Sequence, residues 1–126
     1  MFPIYEKTKG KKYETAIKEL YEQVKTHPRT FEKNFWHKKI YPDQVWLDGL
    51  YMALPFYLQY ENVFNNMQNY DDIYNQILNV EKHMKDEKTG LYYHGYDESK
   101  KERWSDPETG LSQNFWSRAM GWYVMA

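Results

Sequence analysis

Apolar residues recur at three- and four-residue steps in two stretches of the chain, with charged residues between them. This spacing puts the apolar side chains on one face of an α-helix. It predicts amphipathic helices near residues 12–27 and 68–86. The apolar positions are Tyr13, Ala16, Ile17, Leu20, Tyr21 and Val24 in the first helix, and Tyr70, Ile73, Tyr74, Ile77, Leu78 and Met84 in the second.

Two further stretches are apolar on nearly every side, which is typical of helices that other elements enclose. They predict helices near residues 43–60 and 113–126. Pro42 and Asp43 suit the first turn of the earlier helix, and Pro55 is expected to kink it or to mark a boundary. Any strand is expected within residues 91–105.

The alternation of amphipathic and enclosed helices predicts an all-α fold of two helical hairpins in two layers. In such an arrangement the outer helices cover inner helices whose ends line a cavity. Two hairpins cannot close a ring, because each pair needs neighbours to bury its apolar faces. The chain also stops inside the apolar run of residues 121–126. We therefore expect residues 1–126 to be one partial domain, incomplete at both ends.

Aromatic residues are unusually frequent, with thirteen Tyr, six Phe and five Trp at a mean hydropathy of −0.97. Many of them must therefore meet water or a polar ligand at one edge. The net charge of −1 argues against nucleic acid as a partner. The sequence has no apolar run long enough to span a membrane, and its start lacks a leader pattern, so we expect a cytoplasmic protein.

Two segments, at residues 86–91 and 106–111, share the pattern Asp-x-x-Thr-Gly-Leu. In turns, Asp and Thr side chains bond to nearby backbone groups, and Gly supplies a positive φ. The repeat therefore predicts two equivalent turns rather than a ligand site.

Asp48 lies within the first of the two enclosed helices. A carboxylate in such a place is costly unless it is paired, hydrogen-bonded or protonated. Asp48 is therefore either bonded to a neighbouring element or a general acid that keeps a proton near neutral pH.

Two histidines lie among aromatic residues, His94 within residues 91–97 and His37 directly after Phe35 and Trp36. Each is either a hydrogen-bonded loop residue or part of a site. The histidines and carboxylates lack the spacing of a zinc site, so we expect neither a metal nor another cofactor.

Arg118 stands in an otherwise apolar segment, with Trp116 before it and Trp122 four residues after it on one helix face. It either packs on a tryptophan through a cation–π contact, or binds a carboxylate with its planar fork while tryptophan faces contact a sugar ring.

Three segments, residues 46–52, 90–97 and 115–123, resemble in order the motifs of the unsaturated rhamnogalacturonyl hydrolases of glycoside hydrolase family 105. The resemblance implies that the chain is a portion of an (α/α)6 toroid. Tyr96 replaces a frequent Trp of the family pattern, and Ser117 replaces a frequent Gly. Neither change removes a group that the reaction needs.

The resemblance also implies residue roles and a reaction in pectin degradation. Asp48 matches the catalytic acid/base. The implied reaction removes a 4,5-unsaturated galacturonyl residue from rhamnogalacturonan or pectin oligosaccharides by hydrating the C4=C5 double bond, without a cofactor. The positions that match substrate-binding residues are His37, Trp46, His94, Trp116, Arg118 and Trp122.

Family members are much longer and carry a second Asp upstream of these segments, so we expect the chain to be inactive alone. Two other functions fit the same residues. A non-catalytic carbohydrate-binding module would use the aromatic side chains for sugar stacking and would bind without turnover. A plain helical interaction module would tolerate the loss of Asp48 and Arg118. The residues carry no signal for the oligomeric state.

Overall fold

The computed structural model describes residues 1–126 and consists of helices with one small sheet. The sheet has two antiparallel strands, and its strands are far apart in sequence. The helices are α1 (Phe2–Thr8), α2 (Lys11–Lys25), α3 (Leu47–Phe64), α4 (Tyr70–Met84) and α5 (Ser117–Val124), and the strands are β1 (Gln44–Trp46) and β2 (Gly95–Asp97).

The two amphipathic helices predicted from the sequence are confirmed as α2 and α4, within a few residues at each end. Each turns its apolar face towards α3. Ile17 of α2 is buried beside Tyr60 of α3. The main core lies between α3, α4 and α5, and its fully buried members include Leu54, Val80, Met84 and Ala119.

Helix α3 begins later than predicted, and the assignment of Pro42 and Asp43 to its first turn is wrong. Asp43 adopts a left-handed conformation with φ of 60°, and the next three residues form β1. Strand pairing with β2 holds this segment extended, so the helix starts only at Leu47. Strand β1 also lies outside residues 91–105, where strands were expected. Pro55 does not end the helix, which continues to Phe64.

Helix α1 was not predicted, because its seven residues are too few to show a helical period. Its one local signal is a proline in the first turn. The helix is held by Phe2, which is buried and packs against the ring of Phe56 at 5.4 Å between centroids.

The enclosure predicted for α3 and α5 is only partial within these residues. Both helices bury one side in the main core. On their other sides Met52 of α3 is 63% exposed and Val124 of α5 is 85% exposed. Helix α5 also begins later than predicted, because Phe115 pairs with Tyr93 and Trp116 is extended at φ of −138°.

Residues 93–97 join the starts of α3 and α5. Gly95 pairs with Trp46, and the backbone N–H of Leu47 donates to the carbonyl of His94 at 3.1 Å. Immediately before this, Tyr93 pairs with Phe115. One short segment therefore bonds to the residues that precede both helices, and the N-terminal ends of α3 and α5 lie on the same side of the molecule.

The two Asp-x-x-Thr-Gly-Leu segments are turns, as predicted. The Asp86 carboxylate accepts from the N–H of Thr89 at 3.0 Å, and the Asp106 carboxylate accepts from the N–H of Thr109 at 2.7 Å. In each turn the glycine has positive φ, 70° and 81°.

Asp97 at the end of β2 is fully buried and fixes the loop of residues 98–105. Its carboxylate accepts from the N–H groups of Ser99, Lys101 and Glu102, at 3.0, 2.8 and 2.9 Å. Burial by itself raises the pKa of Asp97, but the hydrogen bonds from this loop outweigh burial and hold the pKa below its usual range.

The two turn glycines offer a matched test of packing against backbone strain. An added methyl group at Gly90 meets nothing, whereas at Gly110 it would lie 2.4 Å from the carbonyl oxygen of Asp97. Both alanine variants bear a left-handed conformation that costs about 1–2 kcal/mol. We expect Gly110→Ala to lose roughly 1–3 kcal/mol more than Gly90→Ala, as for overpacked sites. Urea denaturation measures both, and equal losses would contradict the close approach to Asp97.

Asp97→Asn should lower stability by about 1–3 kcal/mol at neutral pH, because an amide leaves backbone donors unsatisfied. The folded-state pKa is lowered, so the carboxylate stabilises the fold above its unfolded pKa near 4 and loses this effect as pH falls through the folded value. The difference between wild type and variant should therefore shrink in acid. Urea midpoints from pH 7 to pH 3 measure it, with the exposed Glu6→Gln of α1 as control. A difference independent of pH would be inconsistent with a charged Asp97.

Candidate active site

The two charged residues singled out in the sequence occupy equivalent positions in neighbouring helices. Asp48 is the second residue of α3, after the N-cap residue Trp46, and Arg118 is the second residue of α5, after the N-cap residue Trp116. A carboxylate near a helix N-terminus is favourable, whereas a cation there is not. Arg118 therefore gains nothing from its helix, which suggests that its charge serves another purpose.

Asp48 is half-buried, and its Oδ2 atom is buried without a hydrogen-bond partner in the protein. The large majority of buried side-chain polar atoms in folded proteins have a partner. The hypothesis that Asp48 is bonded to a neighbouring element is therefore not supported at this oxygen. This carboxylate oxygen therefore has no partner among residues 1–126.

His37 lies directly beside the start of α3. Its ring stacks on Trp46 with 4.5 Å between centroids and 1° between planes, and its backbone N–H donates to the carbonyl of Gln44 at 2.7 Å. Its Nδ1 atom is buried without a partner and faces Gly49, where an added Cβ would come within 3.1 Å. Glycine after Asp48 thus lets the imidazole approach the helix.

Burial is the main cause that lowers the pKa of His37, and the charge of Lys38 lowers it further. The negative charge of Asp48 acts in the opposite direction and raises it. The carboxylate of Asp48 is therefore close enough to act on the charge of the imidazole, and His37 favours its neutral form.

His94 lies between the two N-cap tryptophans. Its ring meets Trp46 edge-on at 6.2 Å and Trp116 at 6.0 Å between centroids. Its Nδ1 atom lies 3.0 Å from the carbonyl oxygen of Asn114 and 3.1 Å from the Ser112 hydroxyl. A carbonyl only accepts, so Nδ1 carries the hydrogen in this bond. In the neutral ring Nε2 is then an acceptor, suited to a hydroxyl group.

Arg118 is exposed, and its guanidinium lies over the ring of Trp116, 3.9 Å from the centroid. It forms no ion pair with a carboxylate of the chain. The cation–π contact weighed from the sequence is present, and the tryptophan is Trp116 rather than Trp122. Trp122 instead packs on Tyr51 of α3 at 4.7 Å, and so joins α5 to α3.

Most of the predicted site residues thus form one continuous surface of rings at the N-terminal ends of α3 and α5. Arg118 adjoins this surface through its contact with Trp116. Asp48 is linked to it because its charge raises the pKa of His37. The ring of Trp122 packs on Tyr51 of α3 rather than on this surface. The rings of the surface are His37, Trp46, His94 and Trp116.

Sequence reasoning missed two aromatic neighbours of Trp46. Tyr41 lies nearly parallel to it, with 5.7 Å between centroids and 5° between planes. Trp104 meets it edge-on at 6.3 Å. The signal for Trp104 was present, since it is the one aromatic residue in the polar segment 98–105.

No group of three or more His, Asp or Glu side chains is arranged to hold a metal ion. None of the helices is both long and apolar enough to cross a membrane.

The whole chain, residues 1–126, matches the family model described as Glycosyl Hydrolase Family 88. The chain belongs to this glycosyl hydrolase family. It is similar to the unsaturated rhamnogalacturonyl hydrolase YesR of Bacillus subtilis (strain 168), with 32% identity over 86 residues, 68% of this chain and 23% of that protein. Protein Atu3128 of Agrobacterium fabrum is 37% identical over 75 residues, 60% of this chain and 32% of that protein.

Solved structures agree with this assignment. A family 105 glycoside hydrolase from C. acetobutylicum ATCC 824 is 54% identical and superposes with a TM-score of 0.95 over 98% of this chain and 34% of that one. A possible family 105 member from Salmonella enterica shares the fold at 21% identity, with a TM-score of 0.77 over 94% of this chain and 30% of that one. The resemblance to family 105 is confirmed. The chain spans about a third of the length of these relatives.

The charges around His37 give a prediction about its pKa that can be tested without an enzyme assay. Asp48→Asn removes the charge that raises the His37 pKa, so the pKa should fall further below its usual range. Lys38→Gln removes a charge that lowers the pKa, so it should rise. NMR titration of the imidazole C–H signals, with His37→Gln for assignment, measures both. Shifts in the same direction, or no shift, would show that Asp48 and His37 are not neighbours.

Proposed function

We propose that this glycosidase is an unsaturated rhamnogalacturonyl hydrolase. It removes a 4,5-unsaturated galacturonyl residue from rhamnogalacturonan or pectin oligosaccharides by hydrating the C4=C5 double bond. The observation that carries the proposal is the pairing of two free groups at one end of α3 and α5. Asp48 has a buried carboxylate oxygen without a partner, and Arg118 has an exposed guanidinium without a carboxylate.

We further propose that residues 1–126 are part of an (α/α)6 toroid. The exposed apolar residues on α3 and α5, such as Met52 and Val124, support additional helices that would pack on these sides. The greater length of the relatives supports the same view, since this chain covers 34% of the C. acetobutylicum enzyme. In a toroid the shared end of α3 and α5 would face the central cavity.

The proposed substrate is an acidic sugar, and Arg118 suits its carboxylate. A guanidinium binds a carboxylate through two parallel hydrogen bonds, and the contact with Trp116 orients the guanidinium plane. The N-terminal ends of α3 and α5 add partial positive charge. His94 would accept a sugar hydroxyl at Nε2, while Trp46 and Trp116 provide apolar ring surface.

Asp48 acts as the single acid and base in this reaction. The double bond is conjugated with the carboxylate and attached to the ring oxygen, so it is an enol ether. Protonation of C4 by Asp48 leaves positive charge on C5 and the ring oxygen. Asp48 then takes a proton from water as the water oxygen bonds to C5, and the hemiketal opens and releases the aglycone. Because one carboxyl group serves both steps, the carboxylate spacing of ordinary glycosidases does not apply.

A carbohydrate-binding module without catalysis is the second candidate. The parallel arrangement of His37, Tyr41 and Trp46 favours it, because aromatic faces bind sugars without any chemistry. This candidate requires binding of the oligosaccharide without turnover in the complete protein.

Substitutions at the two charged residues separate proton transfer from binding. In the complete enzyme Asp48→Asn should retain substrate binding and lower kcat by a factor on the order of 10² or more. Arg118→Ala should chiefly raise KM, roughly tenfold or more, because it removes a charge-assisted contact. The assay follows the ultraviolet absorbance of the conjugated double bond with unsaturated galacturonyl-rhamnose. Asp71→Asn, exposed on α4, is the control and should leave both constants unchanged.

The same reaction run in D₂O should place deuterium at C4 of the product, as read by NMR. Near-full activity of Asp48→Asn, or a product without deuterium at C4, would contradict the hydration mechanism. Binding without turnover by wild type would favour the carbohydrate-binding module.

A further inference from the structure

The one aromatic side chain of the loop of residues 98–105, Trp104, contacts Trp46 of the site. The loop is fixed by the buried carboxylate of Asp97, which accepts N–H groups from three of its residues. The hydroxyl of Ser105, next to Trp104, lies 3.4 Å from the same carboxylate. Trp104 therefore has a rigid base, although the loop itself is polar.

Trp104 fills the space that Gly95 leaves open. A Cβ on Gly95 would stand 3.3 Å from Cη2 and 3.4 Å from Cζ3 of Trp104, and 3.7 Å from Cδ1 of Trp46. Gly95 is also the strand partner of Trp46. The two indoles thus share the side of the sheet that Gly95 keeps clear, and they meet edge-on at 6.3 Å and 81°.

Trp46 is held by different groups on its other sides. His37 stacks in parallel, His94 meets it edge-on, and its Nε1 donates to the side chain of Gln44 at 3.1 Å. Trp104 closes the side towards Gly95. Without Trp104 the indole would gain room to turn away from His37 and His94.

We propose that Trp104 is a positioning residue, which fixes the indole of Trp46 for the sugar and, through this N-cap residue, the start of the helix that carries Asp48. The expected change in KM rests on the proposed function. The contact between Trp104 and Trp46 does not depend on it. Loss of an edge-to-face aromatic contact should raise KM roughly threefold to tenfold. A smaller fall in kcat should accompany it, because Asp48 keeps its carboxyl group.

The test compares Trp104→Leu with Trp104→Phe and with Tyr92→Leu, each in the complete enzyme. Trp104→Phe keeps an aromatic edge and should stay within about twofold of wild type, the lower bound of an aromatic contact. Tyr92 lies in the same segment between α4 and α5 as Trp104, and its ring contacts Tyr123 of α5 with 4.9 Å between centroids. Tyr92→Leu removes this contact and touches no ring of the site. It controls for a general loss of stability.

A readout without substrate uses 5-fluorotryptophan and ¹⁹F NMR, with the Trp46 signal assigned from Trp46→Phe. The change of that signal between H₂O and D₂O reports solvent contact and does not depend on the ring current of Trp104. We expect it to increase in Trp104→Leu and not in Tyr92→Leu. The signal of Trp122, which packs on Tyr51, should remain unchanged and serves as the internal reference.

The inference is overturned if Trp104→Leu leaves the Trp46 signal and KM as they are in Tyr92→Leu, since Trp104 would then only stabilise its loop. If Trp104→Leu does not fold, Trp104→Met decides, because its flexible side chain keeps apolar volume but removes the aromatic edge, and it should produce the same change at Trp46. An unchanged Trp46 signal in that variant also refutes the inference. If the signal changes but wild type lacks turnover, the proposed function fails and the positioning of Trp46 stands.

Discussion

The antiparallel pairing of residues 93–97 with the segments that precede α3 and α5 is the constraint on which the site depends. Gly95 pairs with Trp46 in the sheet, and Tyr93, two residues before Gly95, pairs with Phe115. His94 is thereby confined between two N-cap tryptophans. Backbone hydrogen bonds are strongly directional, so this short segment sets where both helices can begin. Asp48 and Arg118 are each the second residue of their helix, so the same pairing determines their positions.

The electrostatics of this end of the molecule are arranged for an anion. Two helix N-termini carry partial positive charge, and Arg118 adds a full charge where its own helix gains nothing from it. The cation–π contact with Trp116 keeps the guanidinium ordered without neutralising it. Asp48 contributes a carboxyl group, next to a histidine that burial keeps in its neutral form. Such an arrangement supports the acidic sugar that we propose as the substrate.

Structural anchors lie behind this surface and are built from other carboxylates. Asp97 binds the loop of residues 98–105 by its backbone N–H groups. Glu61 of α3, also fully buried, accepts from the backbone of Asn69 at 2.9 Å and so fixes the connection to α4. The carboxylates of Asp97 and Glu61 are hydrogen-bonded, whereas Oδ2 of Asp48 has no partner. The contrast separates carboxylates that hold the fold from the one that we propose as the catalytic acid and base.

The sequence by itself determined α2, α4 and the two Asp-x-x-Thr-Gly-Leu turns. These features depend on residues close in sequence, because helical periodicity and turn hydrogen bonds are local. The candidate site residues came from the resemblance to the family motifs. Only the tertiary structure decided that β1 delays the start of α3, since its partner β2 lies far along the chain. The same holds for Trp104 beside Trp46 and for Arg118 over Trp116, because ring contacts depend on how the loops return rather than on spacing.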